Sequence, residues 1–397
     1  MKVALVHDWL TGLRGGERCL QAFLDIYPTA DVFTLVHVPG TTDAKIDEHV
    51  VATSFLNRIP GIGRWYRYLF PLYPAAARSL HIEGYDLVIS LSHAAAKNVT
   101  VSRGTPHVSY CFTPIRYIWD QCYEYFGALT PLLWPVIASM RGWDRRGARG
   151  VTEFVAISNF IRARIRCFYH RDSSVVYPPV RTDWITPISG WSQGEAFLFA
   201  GALVPYKKPA LVVEALNRIG APLWIVGTGQ EEEKLRKMAG PNVTFFGHVS
   251  DEELADIYRR SRALVFPGTE DFGLMPVEVM AAGRPVIGVY DGGLKDSVRG
   301  LKYWRKDEPP PSSPTGVFYP PGEAHQLDSL VSAIYYFIDN EAIFTPESCI
   351  IQASRFSPQV FEAAWGKCMD RFGFGVGALH SENSSPSGSL TGVVNGC

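Results

Sequence analysis

A series of short, continuously apolar runs, each separated from the next by room for a helix, constrains this chain more than any other feature. The runs are Val3–Val6, Leu87–Ser90, His107–Cys111, Phe154–Ile157, Ala196–Ala200, Leu223–Val226, Asn242–Phe246, Ala263–Phe266 and Pro285–Val289. Unbroken apolar character, rather than alternation, marks strands buried on both faces of a parallel sheet. Helical patterns fit between them at Pro209–Ile219, Glu231–Ala239, Asp251–Ser261 and Met275–Ala282. Ser250 reads as an N-cap, with Asp251, Glu252 and Glu253 set against the helix dipole. Strands alternating with helices predict doubly wound α/β units. The series occurs twice, once before about Pro179 and again from Phe197, after the polar connector TDWITPISGWSQGE.

Length agrees with a duplicated core. The chain has 397 residues, beyond the roughly 250–300 at which one hydrophobic core stops growing. Two Rossmann-like domains facing across a cleft are expected, at 1–183 and 196–345, with the boundary near 184–195. The insert DEPPPSSP reads as a surface loop, and the Ser-, Gly- and Asn-rich stretch 379–397 as a disordered tail. With 47% hydrophobic and 19% charged residues, the composition is that of an ordinary globular protein. A net charge of −1 provides no bulk attraction to nucleic acid, and no nucleic-acid partner is expected. The seven cysteines show no CxxC and are odd in number, which predicts reduced thiols and a cytoplasmic location. MKVALVHDWL is interrupted by His7 and Asp8, so it reads as a buried first strand rather than a signal peptide.

Chemistry concentrates in PGTEDFGLMPVEVMAAGRPVI (Pro267–Ile287). Glu270 closes a strand-to-loop passage, FGL opens a helix, and Glu278 lies on its early turns. Ligands of open α/β sheets gather at the carboxyl ends of strands. Backbone N–H groups of Gly273, Leu274 and Met275 are placed to hold hydroxyls or phosphate oxygens, and Phe272 is read with them as part of the donor site. The flanking carboxylates are placed to accept from vicinal sugar hydroxyls. TGLRGGER (Thr11–Arg18) follows the first strand, and Gly15 and Gly16 leave room for close backbone approach. It lacks the GxGxxG spacing, which disfavours a dehydrogenase. Asp8 is a candidate catalytic residue of the cleft or a turn-stabilising one, and His93 reads as a structural histidine.

A second kind of surface is written into residues 54–82, which carry four arginines and no acidic residue. Arg64 and Arg67 are interleaved there with Trp65, Tyr66, Tyr68, Phe70 and Tyr73. Aromatic rings with guanidinium groups suit a membrane interface. FGALTPLLWPVIASM, followed by Arg141, Arg145, Arg146 and Arg149, reads likewise and is too short and Pro-broken to span a bilayer.

TEDFGLMPVEVMAAGRPVI resembles the E-x7-E signature of family 4 of the retaining glycosyltransferases, which have the GT-B fold. FLFAGALVPYKKPALVVEAL is similar to that family's phosphate-binding loop and following helix. VALVHDWLTGLRGGER, YDLVISLSHAAAKNV, YCFTPIRYIWD and FVAISNFIRARI resemble a bacterial subgroup with many mannosyltransferases of surface-polysaccharide assembly. The resemblance implies that Glu270 contacts donor-sugar hydroxyls and Glu278 the ribose. Lys208, with Lys207 beside it, would neutralise the diphosphate, and helices 346–378 would cross back onto the first domain. It implies hexose transfer with retention to a lipid-linked glycan, from GDP-mannose, at the inner face of the membrane. Front-face attack would pass the acceptor proton to the departing phosphate oxygen, and no metal or other cofactor is implied. Two departures stand out: Ala202 occupies a position where the family has Arg, and Phe112, read with the aromatic–arginine acceptor surface, one where related sequences have His. They leave room for a non-catalytic binding subunit of the same fold, and a sugar-nucleotide epimerase is a further alternative.

Overall fold

The computed structural model describes residues 1–190, 192–305, 307–322 and 324–374. The expected tail at 379–397 therefore lies outside the described residues. Two seven-stranded parallel sheets form the frame. In spatial order the first is Val50–Thr53, Asp31–His37, Val3–Leu10, Leu87–Ser92, His107–Cys111, Glu153–Ala156 and Ser174–Val175. The second is Val243–Gly247, Leu223–Val226, Ala196–Ala200, Ser261–Phe266, Val286–Val289, Gly316–Tyr319 and Gly300–Lys302.

Burial explains both the hits and the misses of the strand reading. Val3–Leu10 is buried at every position and runs on past Val6 through His7 and Asp8. Those two polar residues are fully buried and hydrogen-bonded, so they do not end the strand. Asp31–His37 escaped the sequence reading because Thr34 breaks its apolar run. The Thr34 hydroxyl is buried and donates to Val36 O at 3.2 Å, which makes it compatible with the interior. The predicted helix at Asp251 is capped by Ser250 Oγ and by a reciprocal bond from Glu253 to the Ser250 N–H.

Strand order reverses between Val3–Leu10 and Leu87–Ser92 in the first sheet, and between Ala196–Ala200 and Ser261–Phe266 in the second. At such switch points the following loops part and open a crevice at the carboxyl ends. The loops TGLRGGER and Leu91–Asn98 leave the first crevice; Gly201–Lys208 and Pro267–Met275 leave the second. The two crevices meet. A methyl group placed on Gly15 would lie 2.9 Å from Leu274 Cδ1, so the first helix of one domain abuts a helix start of the other.

Polar and aromatic contacts fasten the domains. Ser158 Oγ donates to Asp271 O at 2.6 Å, and the Asn159 N–H donates to Asp296 Oδ2 at 2.7 Å. The helix Pro346–Ser354 does not cross back as the resemblance implied. It packs on Leu274–Ala281 in the second domain, with Gln352 Nε2 donating to Ser297 O at 2.8 Å. The crossing comes with the next helix, Pro358–Asp370, whose Phe361 and Trp365 rings meet Phe23 at 5.4 and 4.7 Å. Trp365 Nε1 also donates to Tyr27 OH at 3.0 Å.

Candidate functional site

The second domain lines its crevice with charge. Lys207 Nζ lies 3.4 Å from Glu270 Oε1, an ion pair that does not form a hydrogen bond. Glu270 Oε1 is buried and has no hydrogen-bond partner. Such an atom is costly to leave unmet, which makes it a natural place for a donor group from a ligand. The loop is held from behind by the Gly293 N–H, which donates to Glu270 O at 2.8 Å. Lys207 Nζ also hangs over Gly201, 3.3 Å from where a methyl there would sit, with Met275 Cε at 3.5 Å. Lys207, Glu270, Gly201 and Met275 thus share one spot.

Lys208 faces elsewhere: its Nζ donates to Gln326 Oε1 at 3.1 Å. Its backbone is left-handed, φ 54°, immediately before Pro209. That conformation is disfavoured for a side-chain-bearing residue and costs about 1–3 kcal/mol. Strain of this kind collects in ligand-holding loops. Tyr206 stands at the same edge, its hydroxyl pushed up to about 12 by burial and by Glu270.

Glu278 accepts from Tyr258 OH at 3.1 Å. Burial raises its pKa above the ordinary glutamate value, while the Tyr258 bond and Arg18 of the first domain pull the other way. Asp271 forms an ion pair with Arg116, again across the domains. Burial raises Asp271 and outweighs the Arg116 charge. Phe272 is a correction to the sequence reading. Its ring is 3% exposed and packs on Tyr177 and Phe356 at 5.8 and 5.2 Å, so the side chain fills the domain junction instead of lining the crevice.

The first domain's wall is built differently. Asp8 is fully buried and accepts from the N–H groups of His93, Ala94, Ala95 and Ala96 at 2.6, 2.9, 2.5 and 2.6 Å. Its oxygens are occupied by the loop, which corrects the expectation of a direct catalytic contact. Behind the same loop, the buried Lys97 pairs with Asp144, which also accepts from Trp119 Nε1 at 2.8 Å and Tyr169 OH at 2.9 Å. His93 Nδ1 lies 3.1 Å from Asp8 Oδ2, yet burial lowers its pKa. Phe112 shares this wall, its ring 6.3 Å from His7 and 6.2 Å from His93. It belongs with the imidazoles and not with the aromatic–arginine surface.

That surface forms one patch. Phe70 meets Phe126 at 5.4 Å and joins the two segments. Around them Trp65, Tyr68, Tyr123 and Leu132 are exposed, Leu132 by 77%. Arg64 and Arg67 are exposed beside them. Arg141 donates to Trp119 O at 2.8 Å and Arg145 Nε to Phe168 O at 2.9 Å, while Arg145 stays exposed. No helix among the described residues is long and apolar enough to cross a membrane. Nor does any cluster of His, Cys, Asp and Glu among them form a metal-binding set. Sequence reasoning missed Arg116, Asp271, Tyr258 and Gln326, whose roles depend on contacts made far along the chain.

Two Rossmann-like domains meeting at their switch points make the GT-B fold. Residues 186–354 match the model of the family Glycosyl transferases group 1. A stretch of 151 residues is 27% identical to an uncharacterised glycosyltransferase of Methanocaldococcus jannaschii, covering 37% of this chain and 42% of that protein. Another of 156 residues is 32% identical to a D-inositol 3-phosphate glycosyltransferase of Streptomyces scabiei, covering 32% and 35%. The matches thus span less than half the length of these curated relatives. Among solved structures, Anabaena HepE in complex with UDP aligns over 94% of this chain and 100% of its own, with TM-score 0.66 and 17% identity.

Proposed function

We propose that this protein is a glycosyltransferase that takes a hexose from a nucleotide diphosphate donor held by the second domain. Glu270 Oε1, ion-paired with Lys207 at the switch point but without a hydrogen-bond partner, carries this reading. Breaking the bond between the anomeric carbon and phosphate leaves one more negative charge on the nucleotide. A preorganised ammonium stabilises that charge more in the transition state than in the ground state. Lys207, by geometry, takes this role more directly than Lys208, which secures the loop to Gln326. Glu270 orients sugar hydroxyls, and Glu278 accepts from the ribose. The new bond forms on the face the phosphate leaves, with retention, as the acceptor hydroxyl gives its proton to the departing phosphate oxygen. The loss of a histidine at Phe112 is tolerable on that route.

Within the family-4 resemblance, mannose from GDP-mannose is the proposed donor; the UDP in the Anabaena structure makes UDP-sugars the competing class. The exposed aromatic patch with Arg64 and Arg67 supports a lipid-linked glycan acceptor and a peripheral contact with the inner face of the membrane. No metal or other cofactor is invoked.

Thermal-shift screening against a panel of GDP- and UDP-sugars tests the donor, because selective binding raises the melting temperature with occupancy. Transfer to a lipid-linked acceptor in vesicles, abolished by Glu270→Ala, is the expected result. Donor binding without transfer to any acceptor would make the protein a binding subunit. Conversion of donor alone would make it an epimerase.

A further inference from the structure

The Glu278 carboxylate has one oxygen engaged and one left over. Tyr258 OH donates to Glu278 Oε2 at 3.1 Å, and among the described residues no other hydrogen bond reaches this carboxylate. The bond joins two helices of the second domain, Asp251–Arg260 and Leu274–Ala281. Tyr258 is fully buried, whereas Glu278 is half-buried. A buried phenol needs an acceptor for its proton, and among the described residues Glu278 is the one that Tyr258 has.

Tyr258 is itself held from several sides. Its helix is capped by Ser250, and its carbonyl accepts from Ser261 Oγ at 2.8 Å. Trp184, on the connector between the domains, lies against its ring with centroids 6.1 Å apart. A fixed donor fixes a carboxylate that would otherwise turn about three side-chain torsions. With Oε2 engaged, Oε1 keeps its lone pairs for a ligand. Those lone pairs accept from two neighbouring hydroxyls and repel a phosphate oxygen. Arg18 of the first domain and Asp251 act on the carboxylate by charge, in opposite directions, and neither bonds to it.

We infer that Tyr258 is a positioning residue for the donor's ribose, holding Glu278 so that Oε1 accepts from the 2′- and 3′-hydroxyls together. This rests on the ribose role given to Glu278 above. It makes the preference for a ribonucleotide over its 2′-deoxy form depend on a phenol that touches no part of the donor. Without the phenol oxygen the carboxylate is free to turn, so the ribose contact weakens while the phosphate contact at Lys207 stays. The ribose is held alike before and during bond breaking, so the loss falls on KM and not on kcat.

Calorimetric titration with GDP, UDP and their 2′-deoxy forms tests this. Wild type should bind the ribonucleotide about tenfold more tightly than the deoxy form. Tyr258→Phe should bring the two within about threefold, chiefly by weakening the ribonucleotide, and should raise the KM for sugar nucleotide at constant kcat. In a Glu278→Gln background the same substitution should add nothing further. The phenol bond works against burial in setting the Glu278 pKa, so its removal should move the acid loss of ribonucleotide affinity to higher pH. Trp184→Ala, which loosens the ring from the connector side, should give a smaller loss of the same preference and serves should Tyr258→Phe not fold. A ribo-to-deoxy ratio that keeps its wild-type value in the folded variant, or affinities for both forms that fall together, overturns the inference. A wild type indifferent to the 2′-hydroxyl takes the ribose from Glu278 and overturns the inference with it. A wild type that binds no nucleoside diphosphate removes the glycosyltransferase reading itself.

Discussion

The two walls of the crevice share one topology and differ in what they leave unmet. In the second domain the polar groups at the switch point have spare capacity: Glu270 Oε1 lacks a hydrogen-bond partner, and the Lys207 ammonium stands 3.4 Å away. In the first domain Asp8 and Lys97 are satisfied from within, Asp8 by four backbone N–H groups and Lys97 by Asp144. What remains open there is the His7 Nε2, beside Phe112. A doubled fold supplies two crevices, and leftover valence decides what each one holds. The Lys207 ammonium suits a diphosphate, and the Glu270 carboxylate beside it suits hydroxyl groups.

Replacing one charge on each wall puts that contrast at greatest risk. Lys207→Ala should lower the transfer rate by about 10²–10³-fold, the usual scale for losing a preorganised group at developing charge. Its melting temperature should stay close to wild type, since the ammonium has no buried hydrogen bond to lose. Asp8→Ala should do the reverse. It strands four N–H groups behind Leu91–Asn98, a loss on the order of 3–5 kcal/mol in denaturant unfolding. If Asp8→Ala unfolded like wild type but no longer bound donor, the wall would be catalytic after all and the contrast would be wrong.

How much of this was legible beforehand follows from the range of each interaction. Strands such as His107–Cys111 and Ala196–Ala200 were found because burial on both faces is written locally as an apolar run. Gly316–Tyr319 was missed although it is buried throughout, because a four-residue strand after a Pro/Ser loop carries almost no periodicity. The positions of Glu270, Glu278 and the two lysines came from motif resemblance. Which lysine faces the carboxylate was beyond it, because that depends on Lys208 adopting φ 54°. Phe272 stands inside the motif but packs against Tyr177 and Phe356, residues far off in the chain. Arg116 carries no local signal either, since its partner Asp271 lies in the other domain.

A smaller effect sharpens the contrast through pH. Burial raises the pKa of Glu278, so it takes up a proton above the ordinary glutamate range. A protonated carboxyl accepts less well from ribose hydroxyls, so donor affinity should fall as pH drops through that raised value, by about tenfold for one charged hydrogen bond. Stability moves oppositely. A raised folded pKa means the folded protein binds the proton more tightly than the unfolded chain does. This residue's contribution to stability therefore improves as pH falls from the raised value toward the ordinary one. Glu278→Gln should flatten both trends in the difference from wild type. Matching slopes for wild type and variant, in calorimetry and in melting, would remove Glu278 from the donor site.

The smallest expected effect belongs to the contact between the walls. The ion pair of Arg116 with Asp271 joins the domains beside Glu270, and Ser158 bonds the same residue's carbonyl. Asp271→Asn keeps the shape and removes the charge, weakening closure without touching the donor-binding groups. A looser crevice admits water, so donor hydrolysis should rise about threefold relative to transfer, a change of well under 1 kcal/mol in the partition. Acid should mimic the variant in wild type. Burial has raised Asp271, so its proton arrives above the ordinary aspartate range and the ion pair loses its charge as pH falls through that value. The hydrolysis-to-transfer ratio of wild type should climb in that window, while that of Asp271→Asn stays level. A ratio that stays fixed in both proteins would mean that the Ser158 and Asn159 bonds and the Phe272 aromatic cluster suffice to hold the domains shut.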